Sequence, residues 1–218
     1  MKPQIIIVGA SAQAAVVADI LDAIGEFEVT GFLDDVDPDR KGETFCGRQI
    51  LGTTHDLSRL RQRGISLAIV GFGHTKKRLE AAARLTDAGF NLVSAIHPSA
   101  TIGTGSEIGE GSVVKAGAVI DPGVKIGRNV IIGSGAIVTH DSVLADGVRL
   151  AAGAIVGASV SLELGAFVGL GATIRNGATI GSFALVGAGA LVIQDVAPET
   201  VAFGTPARGV RKITESDM

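Results

Sequence analysis

The 218-residue sequence predicts two regions of different fold class: an α/β unit in residues 1–96 and an all-β parallel helix in residues 97–218. Two observations lead to this division. The first region alternates short apolar runs with helical segments, as a parallel sheet joined by helices requires. The second repeats an aliphatic residue every six positions, a period typical of a solenoid built from very short strands.

The first region is typical of a small Rossmann-like sheet. Apolar runs predict its strands at residues 5–8, 29–33, 67–70 and 91–96. Helical segments lie between them, one ending near residue 24 and the others covering residues 53–63 and 76–88. This alternation predicts parallel strands with crossover helices.

The second region carries an aliphatic residue at sixteen successive positions: Ile102, Ile108, Val114, Ile120, Ile126, Ile132, Val138, Leu144, Leu150, Val156, Leu162, Val168, Ile174, Ile180, Val186 and Val192. Four residues after each stands a small residue or a valine. Three hexads close one triangular coil, so the sixteen predict about five stacked coils with aliphatic side chains inside. Glycine often follows the aliphatic residue directly, as Gly169 does, and we expect it there to allow unusual backbone dihedrals.

Composition excludes several classes of protein. A formal net charge of −3 provides no basic excess for nucleic acid. The single cysteine, Cys46, excludes an internal disulfide framework and a cysteine-based zinc cluster. The sequence shows no targeting segment and no stretch of the ~20 apolar residues that a membrane helix needs. We therefore expect a cytoplasmic protein with no metal, membrane or nucleic-acid partner.

His140 is the only histidine of the repeat region, and Asp141 follows it. A lone histidine is often structural or merely exposed. If a turn lets the two side chains converge, Asp141 can fix the imidazole tautomer and His140 can act as a general base. Neighbours on a flat strand point to opposite faces, so the sequence leaves both interpretations open.

The motifs together are similar to those of the NeuD/PglD-like family of sugar O- and N-acetyltransferases. They stand in the family's order, at residues 5–11 (IIIVGAS), 31–35 (GFLDD), 96–100 (IHPSA), 140–141 (HD) and 204–208 (GTPAR). The resemblance covers essentially the whole chain. It implies a Rossmann-like N-terminal domain followed by a β-helix with left-handed coiling.

The resemblance also implies a reaction. The family transfers acetyl from acetyl-CoA to a sugar, commonly to the amine of a nucleotide-linked 4-amino-4,6-dideoxy sugar. His140 matches the catalytic base, Asp141 its orienting acid, and Ala158 the residue whose backbone N–H meets the thioester oxygen. O-acetylation of sialic acid or of a polysaccharide precursor is the alternative.

By the same resemblance, residues 1–96 would bind the nucleotide-linked sugar through Gly9, Ala10, Ser11, Gln13, Asp34, Asp35 and Gly71. Only the first glycine of a G-x-G-x-x-G fingerprint is present, which argues against redox NAD chemistry. Paired aspartates after a strand are also ordinary turn formers. Asp34 and Asp35 are therefore candidates either for binding the nucleotide or for forming a turn. Gln13 stands where the family usually has histidine.

For acetyl-CoA, the resemblance implies a trench between subunits of a homotrimer. The residues assigned to it are Arg149, Ala158, Gly171, Ala188, Gly189 and Arg208. Arg149 replaces a second histidine common in the family, and Gly133 replaces an expected asparagine. Arg208, with Arg211 and Lys212, is a candidate phosphate partner, although a basic tail is often simply solvated.

Three rival functions can be weighed. A zinc enzyme of the γ-carbonic-anhydrase type needs three histidines, but His55, His74 and His97 all precede the repeats. A sugar nucleotidyltransferase needs a basic glycine-rich loop near the N-terminus, which is missing. A non-catalytic trimeric protein that only binds a nucleotide sugar remains an alternative.

Overall fold

The computed structural model describes residues 1–214, which form two compact units divided between Pro98 and Ser99. The sequence placed this division between residues 96 and 97. The last four residues, 215–218, assigned to the C-terminal tail, lie outside the described residues. Within the described chain, no helix is both long and apolar enough to cross a membrane.

The first unit is a sheet with helices between its strands. Its elements are β1 (Gln4–Val8), α1 (Ala12–Ile24), β2 (Glu28–Leu33), β3 (Thr44–Phe45), β4 (Arg48–Gly52), α2 (Leu57–Gln62), β5 (Leu67–Val70), α3 (Thr75–Asp87), β6 (Asn91–Leu92) and β7 (Ala95–Ile96), with 3-10 turns at Pro38–Arg40 and Thr54–Asp56. The sheet order is β3-β4-β2-β1-β5-β6, and every pair except β3–β4 is parallel. The predicted parallel sheet is confirmed.

The centre of this sheet is β1, whose residues Ile5, Ile6 and Ile7 are fully buried. Both faces of the strand are therefore covered, as expected for a central parallel strand. The chain passes from β1 to β2 on one side and later returns to β5 on the other. A crevice at the carboxyl ends of β1 and β5, where the order reverses, is the usual ligand site of such sheets.

The hairpin of β3 and β4 was not predicted, because its glycine-rich sequence was interpreted as a loop. Cys46 and Gly47 both have positive φ, 47° and 74°, and form its two-residue turn. Ile50 of β4 pairs with Phe32 of β2, which joins the hairpin to the sheet.

The second unit is a left-handed parallel β-helix, as predicted. Sixteen two-residue strands each end on one of the sixteen aliphatic residues: β8 (Thr101–Ile102), β9 (Glu107–Ile108), β10 (Val113–Val114), β11 (Val119–Ile120), β12 (Lys125–Ile126), β13 (Ile131–Ile132), β14 (Ile137–Val138), β15 (Val143–Leu144), β16 (Arg149–Leu150), β17 (Ile155–Val156), β18 (Ser161–Leu162), β19 (Phe167–Val168), β20 (Thr173–Ile174), β21 (Thr179–Ile180), β22 (Leu185–Val186) and β23 (Leu191–Val192). A hairpin of β24 (Thr200–Gly204) and β25 (Ala207–Lys212) follows, in a stretch where only a C-terminal tail was predicted.

The strands stack into three faces, each built from every third strand. The first face is β8-β11-β14-β17-β20-β23, the second β9-β12-β15-β18-β21, and the third runs from β10 through β13, β16, β19 and β22 to β24 and β25. Paired residues on adjacent coils are eighteen apart, as Val138 and Val156 are. The aliphatic residues from Val114 to Val192 are at most 4% exposed, so the predicted columns form the core.

The expected role of the glycines that follow the aliphatic residues was wrong. The positive φ values occur two residues later, as at Gly171 (φ 61°). At Gly169 the backbone is ordinary, but an added Cβ would lie 2.7 Å from the Ala188 nitrogen of the next coil. These glycines are required because adjacent coils approach each other closely.

We expect Gly169→Ala to cost more stability than Gly171→Ala. Overpacking costs about 1–3 kcal/mol and occasionally more, and we expect the upper part of this range at Gly169 because the added Cβ meets backbone atoms. Alanine in the left-handed region costs about 1–2 kcal/mol, and an added Cβ at Gly171 meets nothing within 4 Å. Urea unfolding of both variants measures the difference. Equal midpoints would contradict the close-approach explanation.

Candidate active site

His140 and Asp141 occupy the turn between β14 and β15, and the structure brings their side chains together. His140 Nδ1 lies 2.9 Å from Asp141 Oδ2. The neighbours converge because Asp141 has φ 59°, a left-handed conformation that glycine adopts one coil below, at Gly123, and two coils above, at Gly177. Ser159, one coil above, has the same conformation with φ 55°, so the regular turn geometry of the solenoid brings the two side chains together.

The turn that carries this pair is fastened to the next coil. The buried Ser142 Oγ donates to the Gly157 carbonyl at 2.8 Å and accepts from the Val160 N–H at 3.1 Å. The His140 carbonyl accepts from the Ser159 N–H at 3.0 Å. The side chains of His140 and Asp141 are nevertheless 56% and 70% exposed, so a fixed turn presents an open acid–base pair.

Above His140, the same turn position is occupied by Ala158, Asn176 and Gln194, each eighteen residues further on. The Ala158 N–H, assigned to the thioester oxygen, already donates to Asn176 Oδ1 at 3.0 Å. Sequence reasoning did not select Asn176. The eighteen-residue spacing from Ala158 was the available signal.

Gln194 lies beside a cleft of about 220 Å³ that includes Arg208. Its lining residues are Gln194, Asp195, Val196, Ala197, Thr200, Ala202, Ala207, Arg208 and Gly209. Arg211 and Lys212, the other candidate phosphate partners, do not line this cleft. Lys212 Nζ instead donates to the Pro198 carbonyl at 3.2 Å.

Arg149 lies on the outer side of β16, with its guanidinium carbon 4.6 Å from the centroid of the Phe167 ring on the next coil. Burial lowers the pKa of the Arg149 guanidinium. Burial, and then the charge of Arg149, lower the pKa of Lys115. This stretch of the third face therefore holds two partly desolvated cations.

Gly171, Ala188 and Gly189 lie in exposed turns that follow the third face, after β19 and β22. His140, Ala158 and Asn176 lie in turns that follow the first face, after β14, β17 and β20. One copy of the chain therefore places the assigned CoA residues on two different edges of the solenoid.

In the first unit, the predicted residues gather at the carboxyl ends of β1, β2 and β5. Gly9 has φ 114°, and an added Cβ there would lie 3.2 Å from the Gly71 carbonyl oxygen. Ala10 and Ser11 follow, and Ser11 is the N-cap of α1 without a side-chain cap bond. Gln13 lies in the first turn of α1. Backbone N–H groups at this helix start suit a diphosphate.

Asp34 and Asp35 are engaged within the first unit. The buried Asp34 accepts from the Val36 N–H at 3.0 Å and pairs with Arg40 Nη1 at 2.7 Å. Arg40 Nη1 also donates to the Ala10 carbonyl at 3.3 Å. Asp35 accepts from the N–H and the hydroxyl of Thr54, at 2.7 and 2.8 Å. Both aspartates thus brace the loops at this edge.

Residues 1–214 contain no group of three or more His, Cys, Asp or Glu residues placed to hold a metal ion.

Comparison with known proteins decides the family. Residues 4–85 match the PglD N-terminal domain, and residues 123–158 match the bacterial transferase hexapeptide (six repeats). PerB from Caulobacter crescentus, solved with CoA and GDP-perosamine, is 35% identical, covering 95% of this chain and 97% of that one, with a TM-score of 0.90. The chain belongs to the NeuD/PglD-like family of sugar acetyltransferases.

A second relative of this NeuD/PglD-like acetyltransferase is the acetyltransferase domain of PglB from Neisseria gonorrhoeae, solved with acetyl coenzyme A. It is 30% identical, covering 96% of this chain and 100% of that one, with a TM-score of 0.90. A comparison with curated proteins finds no match. The family and the enzyme class predicted from the sequence, an acetyl-CoA-dependent sugar acetyltransferase, are confirmed.

Proposed function

We propose that the protein transfers the acetyl group of acetyl-CoA to the 4-amino group of a nucleotide-linked 4-amino-4,6-dideoxy sugar. The similarity of both units to PerB, which was solved with CoA and GDP-perosamine, carries this proposal. The His140–Asp141 pair supplies the base that the reaction needs. The predicted cytoplasmic location belongs to the same proposal.

In the proposed reaction, the sugar amine attacks the thioester carbonyl carbon and a C–N bond forms. Asp141 faces His140 Nδ1, so it holds the proton there and leaves Nε2 free to accept the proton of the amine. The tetrahedral intermediate then collapses, the C–S bond breaks, and the CoA thiolate takes that proton from His140. The Ala158 N–H stabilises the negative charge on the acetyl oxygen.

Acetyl-CoA is proposed to lie along the edge that carries His140, Ala158, Asn176 and Gln194. Adjacent coils are about 4.8 Å apart, so Gln194 and its cleft lie about 14 Å from the His140 turn. Arg208 lines this cleft and provides a positive charge for a CoA phosphate. The acetyl group would then be at His140 and the nucleotide end of CoA at the cleft.

A homotrimer is proposed to complete this site. His140 and Asp141 are open to solvent in one copy, and a neighbouring surface would exclude water from them. A second copy could bring its own Arg149, Gly171, Ala188 and Gly189 to the His140 edge. Leu170, which is 60% exposed in the turn that also carries Gly171, provides an apolar side chain for such packing.

The nucleotide is proposed to bind at the crevice of β1 and β5, with its diphosphate at Gly9, Ala10 and Ser11. Gly71 and Gln13 border this crevice. Because Asp34 and Asp35 already have protein partners, their proposed contribution is to hold the loops that frame it.

Steady-state release of free thiol from acetyl-CoA tests the function. The acceptors are UDP-, GDP- and dTDP-linked 4-amino-4,6-dideoxy sugars, with sialic acid and simple sugars as hydroxyl acceptors. We expect turnover with one nucleotide-linked amine and none with the hydroxyl acceptors. Turnover only with a hydroxyl acceptor, or binding without any turnover, would overturn the proposal.

A further inference from the structure

The carboxamide of Asn176 covers the Ala158 N–H, the group proposed to donate a hydrogen bond to the acetyl oxygen as negative charge develops on it. Asn176 Oδ1 accepts the Ala158 N–H at 3.0 Å. Ala158 stands one coil, about 4.8 Å, from the His140 position. An acetyl group attacked beside His140 must therefore direct its oxygen to the place that the Asn176 amide now occupies.

An equivalent contact on another edge shows what a purely structural cap looks like. Asp146 Oδ1 accepts the Arg128 N–H at 2.7 Å across the same eighteen-residue step. The Asp146 carboxylate also forms an ion pair with the Arg128 guanidinium at 3.0 Å, which fixes its orientation. At Asn176 the cap is a neutral amide, which adds no negative charge beside a developing oxyanion and carries donor hydrogens.

The Asn176 side chain is free to turn while its backbone is held. Gly177 N–H donates to the Ala158 carbonyl at 2.9 Å, and Arg175 Nη1 donates to the Asn176 carbonyl at 3.3 Å. Asn176 is exposed, and across residues 1–214 its side chain has the one hydrogen bond to Ala158. Only side-chain torsions need to change for the amide to reorient.

We propose that Asn176 is a second oxyanion donor. When the acetyl group arrives, its oxygen takes the Ala158 N–H, and the Asn176 amide turns to donate an Nδ2 hydrogen to the same oxygen. This inference rests on the proposed acetyl transfer, and it makes Asn176 a catalytic residue. Two donors at one oxygen are the usual form of an oxyanion hole.

Two variants test this role. Asn176→Asp keeps the acceptor for the Ala158 N–H but removes the donor and adds negative charge. Asn176→Ala removes the whole amide. Since losing one oxyanion donor costs about 10²–10³-fold in kcat, we expect at least about a 100-fold loss in both. The KM for acetyl-CoA should change little, because the interaction forms in the transition state.

The control is Asp146→Ala, which removes the equivalent cap from the other edge and should leave kcat near the wild-type value. Binding of CoA, which lacks the acetyl oxygen, should weaken far less than kcat falls in Asn176→Ala. Wild-type kcat in Asn176→Ala, or a higher one, would show that Asn176 only caps the turn. Absence of turnover in the wild-type protein would instead contradict the proposed function itself.

Discussion

His140→Ala is expected to lower kcat for acetyl transfer by at least about 100-fold, within the usual range for loss of a general base. The Nδ1 atom is held 2.9 Å from Asp141, which leaves Nε2 as the nitrogen that accepts the proton of the amine. Stopped assays of thiol release under saturating acetyl-CoA measure the loss. A variant with near-normal kcat would contradict the assigned role.

Asp141→Gly tests the role of the carboxylate that orients His140, in a variant that keeps the turn. Glycine occupies the same turn position at Gly123 and Gly177, so the substitution keeps the turn and relieves about 1–2 kcal/mol of left-handed strain. We expect a more stable protein with lower kcat, because His140 loses its orienting carboxylate. Loss of activity together with loss of stability would point to a structural role for Asp141.

Val156→Asp is expected to unfold the β-helix. Val156 is fully buried and pairs with Val138 and Ile174 on the adjacent coils, which are themselves buried. A carboxylate without a partner in this column costs about 5 kcal/mol or more, comparable with the whole stability of many domains. Circular dichroism and thermal unfolding would report the loss.

Val143→Asp is the control for that variant. Val143 is 47% exposed and occupies the outward position of strand β15, whereas Val156 occupies the inward position of β17. We expect Val143→Asp to unfold close to the wild-type temperature. If both variants melted normally, the assignment of inward and outward positions would be wrong.

The inward positions of the solenoid were predictable because two side chains in six, the aliphatic residue and the small residue or valine four positions later, must fill a narrow core. The sequence could not reveal that His140 and Asp141 converge, since that depends on the φ of Asp141. The eighteen-residue coil spacing places Asn176 beside Ala158, but the sequence does not reveal the side-chain torsions that aim Asn176 Oδ1 at the Ala158 N–H.

Other features departed from sequence expectation for equally physical reasons. The β24–β25 hairpin lies beyond the last hexad, where no period marks a strand. Asp34 was open to two interpretations, and the partner that engages it, Arg40, is set by the folding of a loop. Gly169 was assigned to turn geometry, although the backbone of the next coil is what excludes a side chain.

The chemistry of the product tests the central proposal most directly. The protein would be incubated with acetyl-CoA labelled in its acetyl group and with the nucleotide-linked amino sugar that turns over, and the product analysed by mass spectrometry before and after mild alkali. The account predicts one acetyl group per sugar that survives alkali, as an amide does. A label that alkali releases would identify an ester and contradict N-acetyl transfer.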